Sequence, residues 1–519
     1  MIKKIDKLAG QTFPQSVSIL FATIVTVLGM FLWQSHNGQA LLWDEGFLWY
    51  GVQRVMVGEV PIRDFMAYDP GRYYWSATLM GLWGDNGLVA LRATTSIFQA
   101  ICLFIGLKTI FQKEVQPNLI LLGAVTITLA LWTFLNYRFF DTCLPYLLIG
   151  VLTFLINKPS YYRYFITGLI VGLAAVFGRN HGVYGVLATL GVMGYLAIRD
   201  GTKINFIKAF FCWGGGIFIG YLPVLLMLIT MSGFASAFID SIVFLFESQA
   251  TNIFVPIPWP WRVPFGQLPL FEILQGLLLG FSFIAIGLFW ILGIPWVLWR
   301  KWKEKQVAPA LVASVFLALP YSHYAYSRAD LHHLAPGIPP LLIGILVLSL
   351  NQSIRIKAAI VGLLFVTSLI ILVPGQPSWI CLKHTCNKIN IGADQFKVVP
   401  SEAADLMMLK KLTEEFTPNG ESFVAMPFWP GAYAVLNRKS PVWETYVLFP
   451  RSEAFQKAEI ERIKASDVKL VIIFDYPLDG RDELRFRNTH LILDEYFINN
   501  FKRYYDDRWS PIYRIYIKK

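Results

Sequence analysis

Hydrophobic and polar positions follow two different patterns along this chain. Up to residue 374 the apolar positions gather in long, nearly unbroken runs. These are 17–33, 88–107, 119–135, 143–156, 164–178, 183–198, 209–231, 273–298, 308–321, 334–350 and 358–374. A helix needs about 20 apolar residues to cross a bilayer, so most of these runs predict transmembrane helices. Four of them (143–156, 164–178, 183–198 and 308–321) are short, which predicts ends buried among other helices. The run 73–83 is shorter still and reads as an interfacial or re-entrant helix. The expected fold class is a polytopic α-helical membrane protein with about eleven transmembrane helices.

Beyond residue 375 the runs shorten. Ser401 reads as the N-cap of a helix over 402–416, and 453–465 is amphipathic. The runs 422–426 and 468–474 have strand length, and 512–517 alternates. The expected organisation is a transmembrane domain over 1–375, with a first long loop over 34–87, followed by a small α/β domain over 376–519.

Charge sharpens this division. From residue 375 onward 40 of 145 residues are charged, against 39 of 374 before it. If the N-terminus is cytoplasmic, 16 of the 24 basic residues in the first part fall in cytoplasmic loops. They are Lys3, Lys4, Lys7, Lys108, Lys113, Lys158, Arg163, Arg199, Lys203, Lys208, Arg300, Lys301, Lys303, Lys305, Arg355 and Lys357. Only Asp6, Glu114, Asp200 and Glu304 oppose them. The positive-inside rule selects this orientation, and eleven spans then place the C-terminal domain outside, in a cell inner or plasma membrane. The overall charge of +11 is thus mostly a topology signal, and no basic stripe with interleaved aromatics suggests nucleic acid. No small-x-small cleavage site follows residues 1–33, so an uncleaved first span is expected.

The long segments 34–87, 232–272 and 375–519 all fall on the external side. A transporter alternates access and carries charges near mid-span in inverted halves; neither sign is seen. Transporter or flippase, and a non-catalytic membrane scaffold, are the competing readings. Elaboration of one face favours chemistry there.

Ionisable residues at membrane edges are functional candidates because burying charge near lipid is costly. Asp44 and Glu45 follow the first span, then come Asp64 and the stretch Asp69-Pro70-Gly71-Arg72. Paired carboxylates beside apolar walls suit a general base, or oxygen ligation of a divalent cation. Each taken alone also reads as a solvated helix cap. Asn136, Tyr137, Arg138 and Asp141 sit between the third and fourth runs. The turn Gly178-Arg179-Asn180-His181-Gly182 presents an arginine that suits phosphate. Arg328, Asp330, His332 and His333 form the last cluster, without structural-zinc spacing. The segment 254–265, rich in Trp and Pro, reads as an aromatic belt.

These motifs, in this order and on one face, resemble those of the C-type (GT-C) membrane glycosyltransferases. The likeness is to protein O-mannosyltransferases, lipid A aminoarabinose transferases and related sugar transferases of lipopolysaccharide cores. It rests on Asp44-Glu45, Gly58, Pro61, Asp64, Asp69-Pro70 to Tyr74-Trp75, Gly84-Asp85-Asn86 and Arg92. It continues through Asp141, Arg179 to Gly182, and His332-His333 to Pro339. Two positions depart from the aminoarabinose transferases: Asp69-Pro70-Gly71 replaces Glu-Lys-Pro, and Arg179 replaces a lysine. The resemblance implies transfer of a sugar from a polyprenyl-phosphate carrier to a hydroxyl of a lipid, glycan or protein acceptor. It implies Asp44 as general base, Glu45 orienting it, and Asp69 on acceptor or sugar hydroxyls. Arg72, Arg138, Arg179, His181, Arg328, His332 and His333 would meet the phosphate, with Asp64 and Asp141 in acceptor or structural roles. A divalent metal would use Asp44 and Asp141. No nucleotide loop is expected, because the donor comes from the membrane, and none is found.

Of five cysteines, Cys102, Cys143 and Cys212 lie in or beside spans and read as packing residues. Cys381 and Cys386 fall on the oxidising side, so a disulfide between them is expected.

Overall fold

The computed structural model describes residues 15–38, 41–112, 118–133, 138–198, 204–248 and 252–519. Asn136, Tyr137, and the loop charges Lys3, Lys4, Asp6, Lys7, Lys113, Glu114, Arg199, Asp200 and Lys203 lie outside the described residues. The chain is mostly helical and packs as two compact units. One comprises Met1–Leu32, Thr95–Leu226 and Asn252–Gln376, the other Trp33–Thr94, Met227–Thr251 and Pro377–Lys519.

The first unit is a helix bundle. Every apolar run of the sequence coincides with a helix, from Gln15–Gln34 and Leu88–Ile110 through to Ile354–Leu372. Among the described residues six helices are long and apolar enough to cross a membrane. A seventh is added if Leu331–Gly337 and Pro339–Leu350, bent by 50°, count as one span. The protein is therefore a multi-pass membrane protein. Leu119–Thr133 and Tyr161–Phe177 are apolar but shorter. Pro309–Ser327 is long enough, but it ends in the polar and aromatic run Tyr-Ser-His-Tyr-Ala-Tyr-Ser.

One seam of this bundle has a clear sequence cause. Gly168 and Gly172 of helix Tyr161–Phe177 face Gly216 and Gly220 of helix Phe206–Thr230. A Cβ on Gly172 would lie 2.3 Å from the Ile217 carbonyl, and one on Gly220 would lie 2.1 Å from the Leu169 carbonyl. Both helices carry small residues four apart, so their backbones touch. In lipid, where apolar burial drives little, such close packing is what holds helices together.

The second unit joins the first long loop to the C-terminal region. The loop is not irregular: Asp44–Met56 and Gly71–Trp83 are helices. The expected interfacial helix 73–83 is the second of these. A four-stranded sheet has the order Phe423–Met426, Leu470–Phe474, Tyr513–Lys518, Phe501–Tyr504. Its first pair is parallel and the other two are antiparallel. The run Leu-Val-Ile-Ile-Phe of the central strand is buried throughout, as expected for a strand covered on both faces. Helix Glu453–Ala465 starts at Ser452, whose hydroxyl accepts from Phe455 N–H. Helix Pro400–Phe416 starts two residues earlier than the Ser401 cap predicted, with Val399 at the N-cap and Pro400 in the first turn. Proline suits that position because its missing N–H would have no helical partner there.

A smaller sheet pairs Asn387–Ile391 with Asp394–Val398, and Asp394–Val398 in turn with Asn37–Gly38. Helix Asp44–Met56 packs on the short helix Pro430–Val435 through two glycines. A Cβ on Gly46 would lie 2.3 Å from Gly431 Cα, so nothing larger fits without parting the two backbones. Cys381 and Cys386 are joined in a disulfide with their Cα atoms 5.3 Å apart. Cys102 and Cys143 are buried and Cys212 is half-buried.

Candidate functional site

In the first unit the polar residues of several helix ends converge. Arg138 precedes helix Phe139–Asn157, and its Nη1 donates to the Tyr324 hydroxyl at 2.9 Å. Its Nη2 meets His333 Nε2 at 3.0 Å. Asn252 Nδ2 reaches the same ring nitrogen at 2.6 Å. The Asn252 carbonyl oxygen is engaged by Ile253 N–H at 3.0 Å, which turns the amide nitrogen towards His333. Two donors thus converge on Nε2, so Nε2 accepts and the ring proton sits on Nδ1. That proton points at Asp330 Oδ1, 2.7 Å away. Asp330 also caps helix Leu331–Gly337 by accepting from His333 N–H, and its other oxygen accepts from Arg328 Nε at 2.8 Å. Arg138, His333, Asp330 and Arg328 therefore form one continuous network.

A second cluster lies against the first. His181 is fully buried, with Nε2 on Asp141 Oδ1 at 2.9 Å and Nδ1 on the Tyr321 hydroxyl at 2.6 Å. Both ring nitrogens are thus already engaged. His181 holds Asp141, rather than presenting a ring nitrogen to a phosphate as the sequence suggested. Asp141 lies in the first turn of its helix, where the helix dipole favours a negative charge. Tyr324 links the clusters: its ring stacks on His181 at 5.8 Å while its hydroxyl takes Arg138. Tyr321 and Tyr324 are three apart on one face of Pro309–Ser327, a spacing that could have revealed them in the sequence. Arg179 opens helix Arg179–Ala197 and is half-buried, and His332 is exposed.

In the second unit Asp44 and Glu45 share the first turn of helix Asp44–Met56 but have separate surroundings. Glu45 is buried and clasped by Arg92, with Nε to Oε1 and Nη2 to Oε2 both at 2.7 Å. Arg92 Nη1 also donates to the carbonyls of Gln34, Ser35 and Asn37 at 2.8–3.0 Å. Asp44 is half-buried and accepts from the Tyr446 hydroxyl at 2.7 Å. No local pattern in the sequence pointed to Tyr446.

Asp69 is buried and stands before Pro70, at the start of helix Gly71–Trp83. Arg72 is buried with its guanidinium 4.8 Å from the Tyr68 ring. Phe47 touches both Tyr68, at 5.0 Å, and Tyr446, at 5.7 Å, so aromatic contacts join the two acidic segments. Asp64 is committed elsewhere: Arg63 grips both its oxygens at 2.8 Å, and Val60 N–H donates to one of them. The Arg63 hydrogen bonds hold the Asp64 carboxyl below its ordinary value despite partial burial. Among the described residues no group of three or more His, Cys, Asp or Glu is set to hold a metal ion. Asp44 and Asp141 belong to different units.

The fold resembles that of solved GT-C membrane glycosyltransferases. ArnT from Cupriavidus metallidurans, solved bound to undecaprenyl phosphate, aligns over 96% of this chain and 97% of its own, with TM-score 0.57 and 11% identity. The same protein in the apo state aligns over the same shares with TM-score 0.56 and 10% identity. The Archaeoglobus fulgidus oligosaccharyltransferase, tethered with an acceptor peptide, aligns over 96% of this chain and 74% of its own, at 11% identity and TM-score 0.47. No family model and no curated protein matches the chain.

Proposed function

We propose that this protein is a membrane glycosyltransferase. It moves a sugar from a polyprenyl-phosphate donor to a hydroxyl of a lipid, glycan or protein acceptor on the external face. The observation that supports this most is the Arg138–His333–Asp330–Arg328 network, built at the ends of apolar helices. It lies in a fold for which a solved example holds undecaprenyl phosphate.

The reaction needs three things. A base takes the proton of the acceptor hydroxyl as its oxygen attacks the anomeric carbon; we assign this to Asp44. The bond between the anomeric carbon and the phosphate oxygen breaks, and the phosphate leaves with an added negative charge. Cations then stabilise that charge in surroundings from which water is largely excluded, where they act more strongly than in water. We assign this to Arg138, with Arg72, Arg179, Arg328 and His332 as further cationic or hydrogen-bonding groups. His333, with its proton fixed on Nδ1, positions Arg138. Asp69 takes acceptor or sugar hydroxyls, and Glu45 fixes the helix turn that carries Asp44. His181 supports Asp141. The external side follows from the basic loops of the sequence.

The test is transfer from a radiolabelled polyprenyl-phosphate sugar in membranes, with Asp44→Asn, Asp69→Asn and Arg138→Ala variants. Wild-type transfer, lost in Asp44→Asn, is expected. Full activity in all three variants removes these assignments. No transfer by the wild type from any lipid-linked sugar removes the function.

A further inference from the structure

A cavity of about 670 Å³ opens in the first unit, at the end of the helix bundle opposite to the Arg138 network. Helix Phe139–Asn157 relates the two places: Arg138 precedes its first turn, and Ile156, in its last, lines the cavity. At 1.5 Å per residue they lie about 27 Å apart along the helix axis. The other walls come from Tyr195 of helix Arg179–Ala197, and from Lys301, Glu304 and Lys305 around the end of helix Leu270–Trp302. The volume falls within the range of about 300–1,000 Å³ typical of small-molecule sites. This is the end whose basic loops the sequence assigns to the cytoplasm.

The lysines here are not consumed by the fold. Helix Leu270–Trp302 closes on its own backbone: Lys303 N–H donates to the Trp299 carbonyl, Glu304 N–H to that of Lys301 and Lys305 N–H to that of Arg300. Those carbonyls therefore need no side-chain cap. Lys301 Nζ lies 5.4 Å from the centre of the Tyr195 ring, itself part of the wall, which puts that ammonium at the cavity. Lys305 Nζ lies 5.4 Å from the Trp299 ring. A ring holds an ammonium without neutralising it, and neither lysine is paired with a carboxylate among the described residues. The depth of the cavity is marked separately. Trp296, Trp299 and Trp302 are exposed and follow three apart along the last turns of the same helix. Arg300 lies 5.5 Å from the Trp296 ring and Lys303 4.8 Å from the Trp302 ring. Exposed indoles among cations at the end of an apolar helix mark the headgroup level of a bilayer.

Two unneutralised ammoniums on a concave wall at that depth suit a lipid phosphate, and basic pockets between helices on the cytoplasmic side recognise headgroups in this way. We propose that this cavity binds the phosphate of an anionic phospholipid, with Lys301 and Lys305 on its oxygens and Glu304 and the Gln306 amide beside the hydroxyls of a glycerol headgroup. A free phosphate ion shares the chemistry of the lysines. Glu304 opposes a small mobile anion, however, whereas a lipid is kept beside the lysines by its chains at high effective concentration. A topology signal needs charge at this end of the bundle but no cavity around it. Lys208 and Arg355 supply such charge from exposed positions that do not line the cavity. The site is separate from the proposed donor phosphate site, and binding there does not depend on the transferase reading.

The experiment uses the full chain in phosphatidylcholine nanodiscs doped with phosphatidylglycerol, with bound lipid counted by native mass spectrometry. The wild type should retain phosphatidylglycerol about tenfold more strongly than phosphatidylcholine, and its melting temperature should rise with phosphatidylglycerol content. Lys301→Gln combined with Lys305→Gln should remove most of that preference, while Lys301→Arg with Lys305→Arg, which keeps the charge, should retain it. Lys208→Gln with Arg355→Gln removes the same charge from outside the cavity and should behave as the wild type does. If the double glutamine variant does not fold, Lys305→Gln alone, at an exposed position, carries the same test. No lipid preference in the wild type, or an equal loss in the cavity pair and the control pair, overturns the proposal. Stabilisation by inorganic phosphate at constant ionic strength, with no preference among lipids, overturns the lipid as the source of the phosphate. Sugar transfer is assayed separately in phosphatidylcholine alone. Its absence sinks the transferase reading and leaves this site, whereas transfer without lipid preference does the reverse.

Discussion

Arg92 holds both carboxylate oxygens of Glu45 at 2.7 Å, and the pair is buried. Neighbours in the chain make unlike uses of the same chemistry here: Glu45 is a structural clasp, and Asp44 is left to a tyrosine. Removing one partner of a buried pair leaves an uncompensated charge, at a cost of about 3–5 kcal/mol. Arg92→Ala also strands three carbonyls. It should lower the melting temperature in nanodiscs more than Glu45→Gln, which keeps one acceptor. Equal melting of Arg92→Ala and wild type would show that the clasp carries no stability.

Tyr446 donates to Asp44 at 2.7 Å across 402 positions of sequence. Under the proposed function, Tyr446 is a positioning residue for the base. Tyr446→Phe keeps the ring, which packs on Phe47 and Phe428, and removes only the hydroxyl. A hydrogen bond to a charged group is worth about 1.5–3 kcal/mol. We expect kcat to fall about tenfold to a hundredfold, with KM for the lipid donor nearly unchanged and unaltered melting. A rise in KM alone would move Tyr446 to substrate binding.

The contrast between these residues shows what the sequence could convey. The apolar runs were legible because bilayer crossing is a property of local composition, and each coincides with a helix. The acids were legible because charge is scarce there. Their partners were not: Arg92 lies 47 positions from Glu45 and Tyr446 lies 402 from Asp44. Pairings at that separation leave no local pattern. Helix Asp44–Met56 escaped notice because its polar first turn interrupts the apolar signal. The strand Asn387–Ile391 was missed because Asn-Lys-Ile-Asn-Ile exposes most of its residues. The glycine seam, by contrast, was present as small residues four apart in the runs 164–178 and 209–231. It needed only to be read as a pair.

That seam predicts a sharp size limit. Gly172→Leu places its first side-chain carbon 2.3 Å from the Ile217 carbonyl, so helices Tyr161–Phe177 and Phe206–Thr230 must separate. Gly194→Leu, at a glycine with nothing within 4 Å of its Cβ position, is the control. The seam variant should melt lower and yield less folded protein, and the control should match the wild type. Equal behaviour of the two would remove the seam as a source of stability.

Two acids in the second unit predict how stability depends on pH. Burial pushes Glu402 up to about 7, and it does the same to Glu459. Between the ordinary carboxylate value and about 7, the folded chain holds a proton at each that the unfolded chain has lost. Stability therefore falls as pH rises through that window and levels off above it, by on the order of 3 kcal/mol for each group. The wild type should melt higher at pH 5 than at pH 8 by more than the Glu402→Gln or Glu459→Gln variant does. An identical pH difference in wild type and both variants would show that neither carboxyl titrates in this range.

Arg138 offers the most direct test of the proposed chemistry. Its guanidinium is aimed by Tyr324 and by a histidine whose proton is fixed on the far nitrogen by Asp330. A cation preorganised at the developing phosphate charge acts mainly in the transition state, so its loss should reduce kcat more than donor affinity. Arg138→Ala should lower kcat by about 10²–10³-fold. Arg138→Lys should recover only part, since a point charge keeps the sign but loses the fork that reaches both Tyr324 and His333. Asp330→Asn acts at one remove: it loosens the His333 proton and should cost less than Arg138→Ala. An Asp330→Asn effect equal to that of Arg138→Ala would make Asp330 itself part of the phosphate site. An Arg138→Ala enzyme as fast as wild type would remove the arginine from the reaction.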